Sequence, residues 1–364
     1  MVTRGTCGHH RVEDSLRDPS HSLRMTNQRK AYARAGVDVD LGNRLKRRIQ
    51  TLARRTHGPQ VLGKIGGFGG LFAPNFSGMH EPILVASIDG VGTKLKIAFA
   101  MNKHDTVGAD LVNHCVNDIA VLGARPLFFL DYIGCEKLEP RIFDQLLHGF
   151  ARGCRFAGCA LIGGETAQMP GMYRKGEYDL AGCIVGVVDC ARIIDGSNIK
   201  PGDAILGLAS NGLHTNGYSL ARKILFEKMR LKIGSRLPGS NVTVGEELLR
   251  VHKNYQLRLA KATIGIIKGL AHITGGGLID NLPRILPKSC DAVIDTKSWR
   301  VPPIFQILQR HGDVDPAEMY QIFNMGIGMV AIVSEGDVPR AMSILKAKRI
   351  GRTELGRGKT KLVF

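Results

Sequence analysis

The chain runs to 364 residues, 44% of them hydrophobic, enough for two ordinary domains each with its own core. No stretch approaches the roughly 18 uninterrupted apolar residues of a membrane span. The first residues lack the apolar segment of a secretory signal and include Glu13, Asp14 and Asp18, unlike an acid-poor transit peptide, so a cytoplasmic protein without membrane attachment is expected.

The net charge of +18 sits mainly at the two ends, with +8 in residues 1 to 57 and +6 in residues 337 to 364. The first 24 residues have no hydrophobic period and are rich in Arg, His, Ser and Gly. A disordered basic arm is expected over residues 1–28, with Met25 as an alternative start. In "NRLKRRIQTLARR" (43 to 55), Leu45, Ile49 and Leu52 recur at helical spacing, which predicts an amphipathic surface helix. No aromatic residue interleaves with these charges to stack bases, so nucleic acid is not the expected partner.

"VLGKIGGFGGLFAPN" (61 to 75) carries too much glycine for a helix or strand interior. "EPILVASIDG" reads as a strand closed by a turn at Gly90. The turn "DGVGTK" fits neither the phosphate-loop spacing nor the three-glycine dinucleotide fingerprint. "DTVGADLVNHCVNDIAVLGARP" reads as a helix stopped by Gly123 and Pro126, and "LFFLDYIG" as a strand. "PRIFDQLLHGFARGCRFAG" follows as a second helix, with "CALIGGET" and "DLAGCIVGVVD" as further strands.

After the Pro-Gly-Asp turn at 201 to 203 the pattern restarts. "DAILGLAS" is a strand, "TNGYSLARKILFEKM" a helix, and "GEELLRVHKNYQLRLAKATIGIIKG" a long helix. "CDAVIDT" and "MGIGMVAIVS" are strands, and "DVPRAMSILKAK" a helix. The strands cluster rather than alternate strictly with helices, which favours an α+β protein of two α/β halves, 29–195 and 196–364, over a doubly wound sheet. The eight cysteines contain no CxxC pair and sit in apolar settings, which argues against structural zinc and a disulfide framework.

Asp110, His114, Asn117 and Asp118 form one stripe of the helix over 107 to 122, opposite Leu111, Cys115, Ile119 and Leu122. A solvated face and a ligand face are both open, but a solvated stripe usually mixes Lys with Glu, and this one has only short side chains. Asp89 and Glu165 each end an apolar strand beside glycines. With Asp118 they could converge into the oxygen-rich site that magnesium prefers, with substrate phosphates completing the shell. "LASNGLHTNGYS" and "AHITGGGLIDNLPR" place His, Asn and Thr beside glycines ahead of helices, where free backbone N–H groups meet an anion. A nucleophile elbow is absent, and no cysteine opens a helix in an electropositive setting.

In chain order, "GKIGGFGG", "DGVGTK", "VNDIAVLGARPLFFLDY", "GGETAQMPGMY", "DLAGCIVGVV", "NGLHTNGYS", "HITGGGLIDNLPR" and "FNMGIGM" closely resemble the phosphoribosylformylglycinamidine cyclo-ligase family, from about residue 30 to the C-terminus. The resemblance implies ATP-dependent ring closure of formylglycinamidine ribonucleotide to 5-aminoimidazole ribonucleotide, ADP and phosphate, a step of purine synthesis. It implies phosphorylation of the formyl oxygen followed by attack of a ring-forming nitrogen, with ATP as co-substrate and magnesium as cofactor. It also implies a homodimer whose N-terminal-half strands close a barrel-like core with flanking helices, beside a C-terminal α/β sandwich domain.

Carried over by position, the resemblance implies Asp89, Asp118 and Glu165 as metal ligands, and Lys94, His214 and Asp118 as catalytic residues, Lys94 neutralising triphosphate charge. Gly66, Gly67, Phe68 and Gly69 would cover ATP. Asp89, Gly90, Gly92, Thr93, Lys94, Asn117, Gly163, Gly164 and Thr166 would line its phosphates. His214, Thr215, Asn216, Thr274, Gly275, Gly276 and Gly277 would hold the ribotide. Gln168 and Thr215 depart from the Glu and Ser usual in the family. A thiamine-monophosphate kinase-like or selenophosphate synthetase-like enzyme of the same superfamily is the alternative. Selenide chemistry would favour a cysteine in the glycine-rich segment, and residues 61 to 75 contain none.

Overall fold

The computed structural model describes residues 39–63, 65–262 and 265–364. The arm expected over residues 1–28 lies outside the described residues. The basic helix forms as α1 (Val39–Arg54), and its Leu45 and Leu52 are buried as the spacing predicts. The glycine-rich stretch after it forms neither helix nor regular strand.

The first half is a layer of helices on a four-stranded sheet. β1 (Pro82–Gly90) leads through a turn of 3-10 helix into α2 (Leu95–Met101) and α3 (Asp105–Ala120). Then come β2 (Arg125–Cys135), α4 (Pro140–Ala157), β3 (Ala160–Gln168) and β4 (Tyr178–Asp189). The sheet order is β1-β4-β2-β3, with β2 and β3 parallel and the other pairs antiparallel. One chain supplies an open sheet, not a barrel: β1 is an edge strand whose Leu84 and Ile88 are 63% and 72% exposed.

α4 follows its sequence signals closely, with Pro140 in the first turn, Gly158 closing the helix in the left-handed region, and Phe143, Leu146, Leu147, Phe150 and Cys154 on its buried face. α3 is different: every residue except Asp105 and Asp118 is buried. A helix enclosed on all sides has no solvent stripe. Its contact with α4 is backbone to backbone, since a Cβ on Gly108 would stand 2.5 Å from the Leu146 carbonyl oxygen, and one on Gly149 would stand 2.7 Å from that of Asp105.

The second half begins with β5 (Ala204–Ala209), α5 (Tyr218–Arg222, continued by a π-helical turn), α6 (Val244–Leu248), α7 (Gln256–Ala262), β6 (Ile267–His272) and α8 (Gly277–Asn281). It continues with β7 (Cys290–Asp295), α9 (Pro303–Gly312), α10 (Pro316–Ile322), β8 (Ile327–Val333), α11 (Val338–Leu345), β9 (Lys348–Leu355) and β10 (Thr360–Val363). Six strands make an open sheet in the order β10-β7-β9-β5-β8-β6, antiparallel except for β10 with β7. Leu206, Leu208, Met329 and Ala331 pack with Leu259 and Leu345 into one core. Ile205, Ile327, Val330 and Ile332 join a second core that also contains Leu95, Ile97 and Leu111 of the first half. The hydrophobic interior is therefore continuous across the two halves.

The long helix expected from Gly245 to Gly269 is corrected. Helix exists at α6 and α7, the chain between them is irregular, and Ile267–His272 is a strand. Two α3 side chains hold the break: Asp110 Oδ1 accepts from the His252 amide at 2.6 Å, and Asn117 Oδ1 from the Tyr255 amide at 2.9 Å. Backbone donors satisfied in this way no longer need a helix.

Candidate active site

α3 presents its polar stripe to the 250–255 segment, not to water. Asp110, His114 and Asn117 are 0%, 3% and 0% exposed, so the solvated-face reading fails for these three. Asn117 is engaged in this junction: Nδ2 donates to the Lys253 carbonyl at 2.9 Å and lies 3.2 Å from His252 Nε2, while Oδ1 accepts from Tyr255. Its side chain faces these groups and not an open cavity.

Lys94 is corrected in the same way. Its side chain is completely buried, and Nζ lies 2.9 Å from Asp110 Oδ1, 3.1 Å from the His214 carbonyl oxygen and 2.7 Å from that of Arg250. All three ammonium protons are thereby occupied. Burial pulls the Lys94 pKa down and pushes that of Asp110 up, each offset by the other's charge. In this arrangement Lys94 ties α2 to the second half and does not face a triphosphate.

A line of buried rings runs between the two carboxylates Asp89 and Asp118. His114 Nε2 is 2.9 Å from Asp89 Oδ2, and His114 Nδ1 is 2.7 Å from the Thr215 hydroxyl. Thr215 Oγ1 is 3.3 Å from His252 Nδ1, His252 Nε2 is 3.0 Å from His272 Nε2, and His272 Nδ1 is 2.7 Å from Asp118 Oδ1. Because a carboxylate only accepts, His272 Nδ1 donates to Asp118 and His114 Nε2 donates to Asp89. The contacts between them are all made when the line carries one extra proton; with that proton on His114, His114 also donates to Thr215, the Thr215 hydroxyl donates to His252, and His252 donates to His272.

The electrostatics agree with that assignment. Burial opposes the His114 charge, but the Asp89 hydrogen bond and the charges of Asp118, Asp89 and Asp110 hold its pKa above the ordinary histidine value. Burial lowers His272 despite Asp118, and it lowers His252 well below the usual range, with neighbouring cations adding to the effect. Burial alone would raise Asp89, yet the His114 and Gly90 hydrogen bonds leave it lowered. Both carboxylates keep a face to solvent, at 40% and 27% side-chain exposure.

His214 sits against this line, its ring 4.1 Å from that of His252 and nearly parallel. It is 1% exposed, neither ring nitrogen has a hydrogen-bond partner among the described residues, and its backbone adopts φ 63°, uncommon for a side chain of this size. Burial depresses its pKa strongly, so the ring is neutral. Two residues on, the buried Asn216 Nδ2 also lacks a partner, and a Cβ on Gly275 would touch Asn216 Oδ1 at 3.5 Å. The 214–216 and 274–277 loops therefore meet, with Thr274 and Gly275 reaching solvent while Thr215 and Gly277 are buried. Gly277 is held to glycine because a Cβ would strike the Tyr320 carbonyl. Thr93 joins the turn at Gly90 and Gly92 to this half, its hydroxyl 3.1 Å from that of Ser219.

A separate cavity of 680 Å³ lies under the glycine-rich loop, where Gly66, Gly67, Phe68 and Gly69 face Gly163, Gly164, Glu165 and Thr166. Asp131 lines the same cavity, and burial, with the Glu165 charge adding, pushes its pKa up to about 7. The three expected metal ligands do not converge within one chain. Asp89 pairs across β4 and β2 to a row ending at Gly164, beside Glu165. Three strand spacings put Glu165 about 14 Å from Asp89.

His252 and Asp131 are residues of these sites that motif reading missed, and His272, the histidine of "AHITGGG", was read only as part of an anion-binding loop. His272 adjoins "ITGGG" and Asp131 is the lone acid of an apolar strand, and both signals were visible. His252 carried none, since its stretch reads as helix.

Two sequence families match the chain: "AIR synthase related protein, N-terminal domain" over residues 79–188, and the corresponding C-terminal domain over residues 200–361. A phosphoribosylformylglycinamidine cyclo-ligase of Syntrophotalea carbinolica is 54% identical over 320 residues, covering 87% of this chain and 91% of the relative. One from Syntrophus aciditrophicus is 50% identical over 344 residues, covering 92% and 99%. Among solved structures, thiamine-monophosphate kinase from Stenotrophomonas maltophilia aligns with TM-score 0.65 at 17% identity, covering 86% of this chain and 94% of that one. The hydrogenase maturation protein HypE in complex with ATP aligns with TM-score 0.61 at 19% identity, covering 85% and 88%. These last two share the fold. With half or more of its residues identical to such relatives through both domains, the chain belongs to the phosphoribosylformylglycinamidine cyclo-ligase family.

Proposed function

We propose that the protein closes the imidazole ring of 5-aminoimidazole ribonucleotide from formylglycinamidine ribonucleotide, with ATP converted to ADP and phosphate. The observation that carries this reading is the 54% identity to a cyclo-ligase across 87% of the chain. The geometry supports it. Phosphoryl transfer needs positioning and charge neutralisation more than a covalent nucleophile, and two partly exposed carboxylates oriented by buried histidines suit that task.

Asp89 and Asp118 fit a magnesium ion by donor chemistry, since hard carboxylate oxygens with an open face leave room for phosphate oxygens. When bound, the ion supplies neutralisation of the triphosphate. Glu165 serves the cavity under the glycine-rich loop, and Phe68, the most exposed large apolar side chain there, is placed to cover a nucleotide. Asn216, Thr274 and Gly275 supply unpaired or accessible polar groups for the ribotide. His214, buried and neutral, orders the loop that carries Asn216.

The reading includes a homodimer in which the exposed edge of β1 pairs with a second copy, closing the open sheet and hiding Leu84 and Ile88. A cytoplasmic setting suits it, and among the described residues no helix is long and apolar enough to cross a membrane. The test is incubation of purified protein with ATP, magnesium and formylglycinamidine ribonucleotide. ADP and aminoimidazole ribonucleotide should form one for one, and ADP release without the imidazole would count against cyclo-ligase activity.

A further inference from the structure

The first sheet carries a second cavity, of 670 Å³, where β2 and β3 begin. It shares no lining residue with the cavity under Gly66 to Gly70, although on β3 the two linings meet at Ala160 and Leu161.

Three guanidinium groups, those of Arg55, Arg125 and Arg155, stand around this cavity, and no carboxylate is among its lining residues. Arg125 donates from Nη2 to the Asn75 carbonyl at 2.7 Å. Arg55 and Arg155 have no acidic partner among the described residues. Clustered cations without counter-charge repel one another, and they gain most from an anion that accepts from several at once. Guanidinium is the group best matched to such an anion, because its fixed fork of N–H donors fits two oxygens of a phosphate together. Phe72, Pro126 and Leu127 add apolar surface to the lining, with the Phe72 ring 5.3 Å from that of Phe128. A volume of this size is typical of small-molecule sites.

We propose that this cavity binds a phosphorylated small molecule, its phosphate oxygens taken by Arg55, Arg125 and Arg155 and its apolar part laid against Phe72 and Leu127, apart from the catalytic cleft. The charge on the three arginines persists at any working pH, so recognition weakens with salt, and its pH dependence comes from the ionisation of the ligand's phosphate alone. The site would make the protein responsive to a metabolite it does not turn over.

The experiment titrates the full chain with inorganic pyrophosphate by calorimetry at fixed ionic strength. Three proteins are compared: wild type, Arg55→Gln/Arg155→Gln, and Arg310→Gln/Arg340→Gln, which removes the same charge from exposed positions of α9 and α11. Wild type and the α9/α11 variant should each bind one more pyrophosphate per chain than the cavity variant. The cavity variant should keep turnover within twofold and an unchanged melting point. Arg155→Glu alone should weaken that extra site at least tenfold. Equal stoichiometry in wild type and cavity variant, or equal loss in the α9/α11 variant, would overturn the proposal.

Discussion

Lys94 and Asp110 are both fully buried, and each is the other's counter-charge. Removing one partner of such a pair strands a charge in the interior, at a cost of about 3–5 kcal/mol, whereas replacing both with apolar groups is often neutral. Lys94→Met should therefore destabilise the protein by that amount in urea denaturation, and Lys94→Met/Asp110→Leu should recover most of it; failure to recover would mean that the Lys94 bonds to the His214 and Arg250 carbonyls matter more than the ion pair. Asp131 gives a second test, through pH. Its folded pKa of about 7 lies above the unfolded carboxylate value, so its contribution is fully present below about pH 4 and is lost as pH rises through 7. Relative to wild type, Asp131→Asn should gain stability over that window, reaching on the order of 2–4 kcal/mol at pH 8 in metal-free buffer. A gap that does not change with pH would contradict the shifted carboxyl.

At the scale of elements, α3 and α4 meet through Gly108 and Gly149, with no room for a side chain on either. Gly149→Ala places a methyl 2.7 Å from the Asp105 carbonyl oxygen, so the helices must separate. A loss of roughly 1–3 kcal/mol is expected by thermal or urea unfolding, despite the better helix propensity of alanine; a stabilised variant would show that the crossing is looser than described. α4 was legible in the sequence because its stop, start and apolar face are all local signals. The 246–270 region was not. Its helical periodicity is real at α6 and α7, but the break at 250–255 depends on Asp110 and Asn117, more than 130 residues earlier in the chain, accepting its backbone amides. The same distance hid His252, whose partners His272 and Thr215 come from two other segments. Acids at strand ends and glycine-flanked loops could be read directly, whereas burial of Lys94 and Asn117 could not, because the spacing of a polar residue does not reveal what packs over it. β9 also escaped notice, since Arg349 and Arg352 alternate with the buried Ile350 and Thr353 in a stretch whose charge dominates its pattern.

For the whole molecule, the open sheet of the first half leaves Leu84 and Ile88 on an unpaired edge strand. Replacing both with Lys should yield a monomer by sedimentation velocity while leaving the fold's circular dichroism unchanged, and turnover should fall with the loss of the dimer; a wild-type protein already monomeric at assay concentration would remove the second copy from the account. The charge of the chain does not define its role, because the excess lies at the ends while the middle carries the site. The most direct test of the chemistry follows one oxygen atom. Formylglycinamidine ribonucleotide labelled with ¹⁸O at the formyl group is turned over with ATP and the released phosphate is analysed by mass spectrometry. Activation by phosphorylation of that oxygen predicts one ¹⁸O in each phosphate formed; label that appears in water, with unlabelled phosphate, would contradict it.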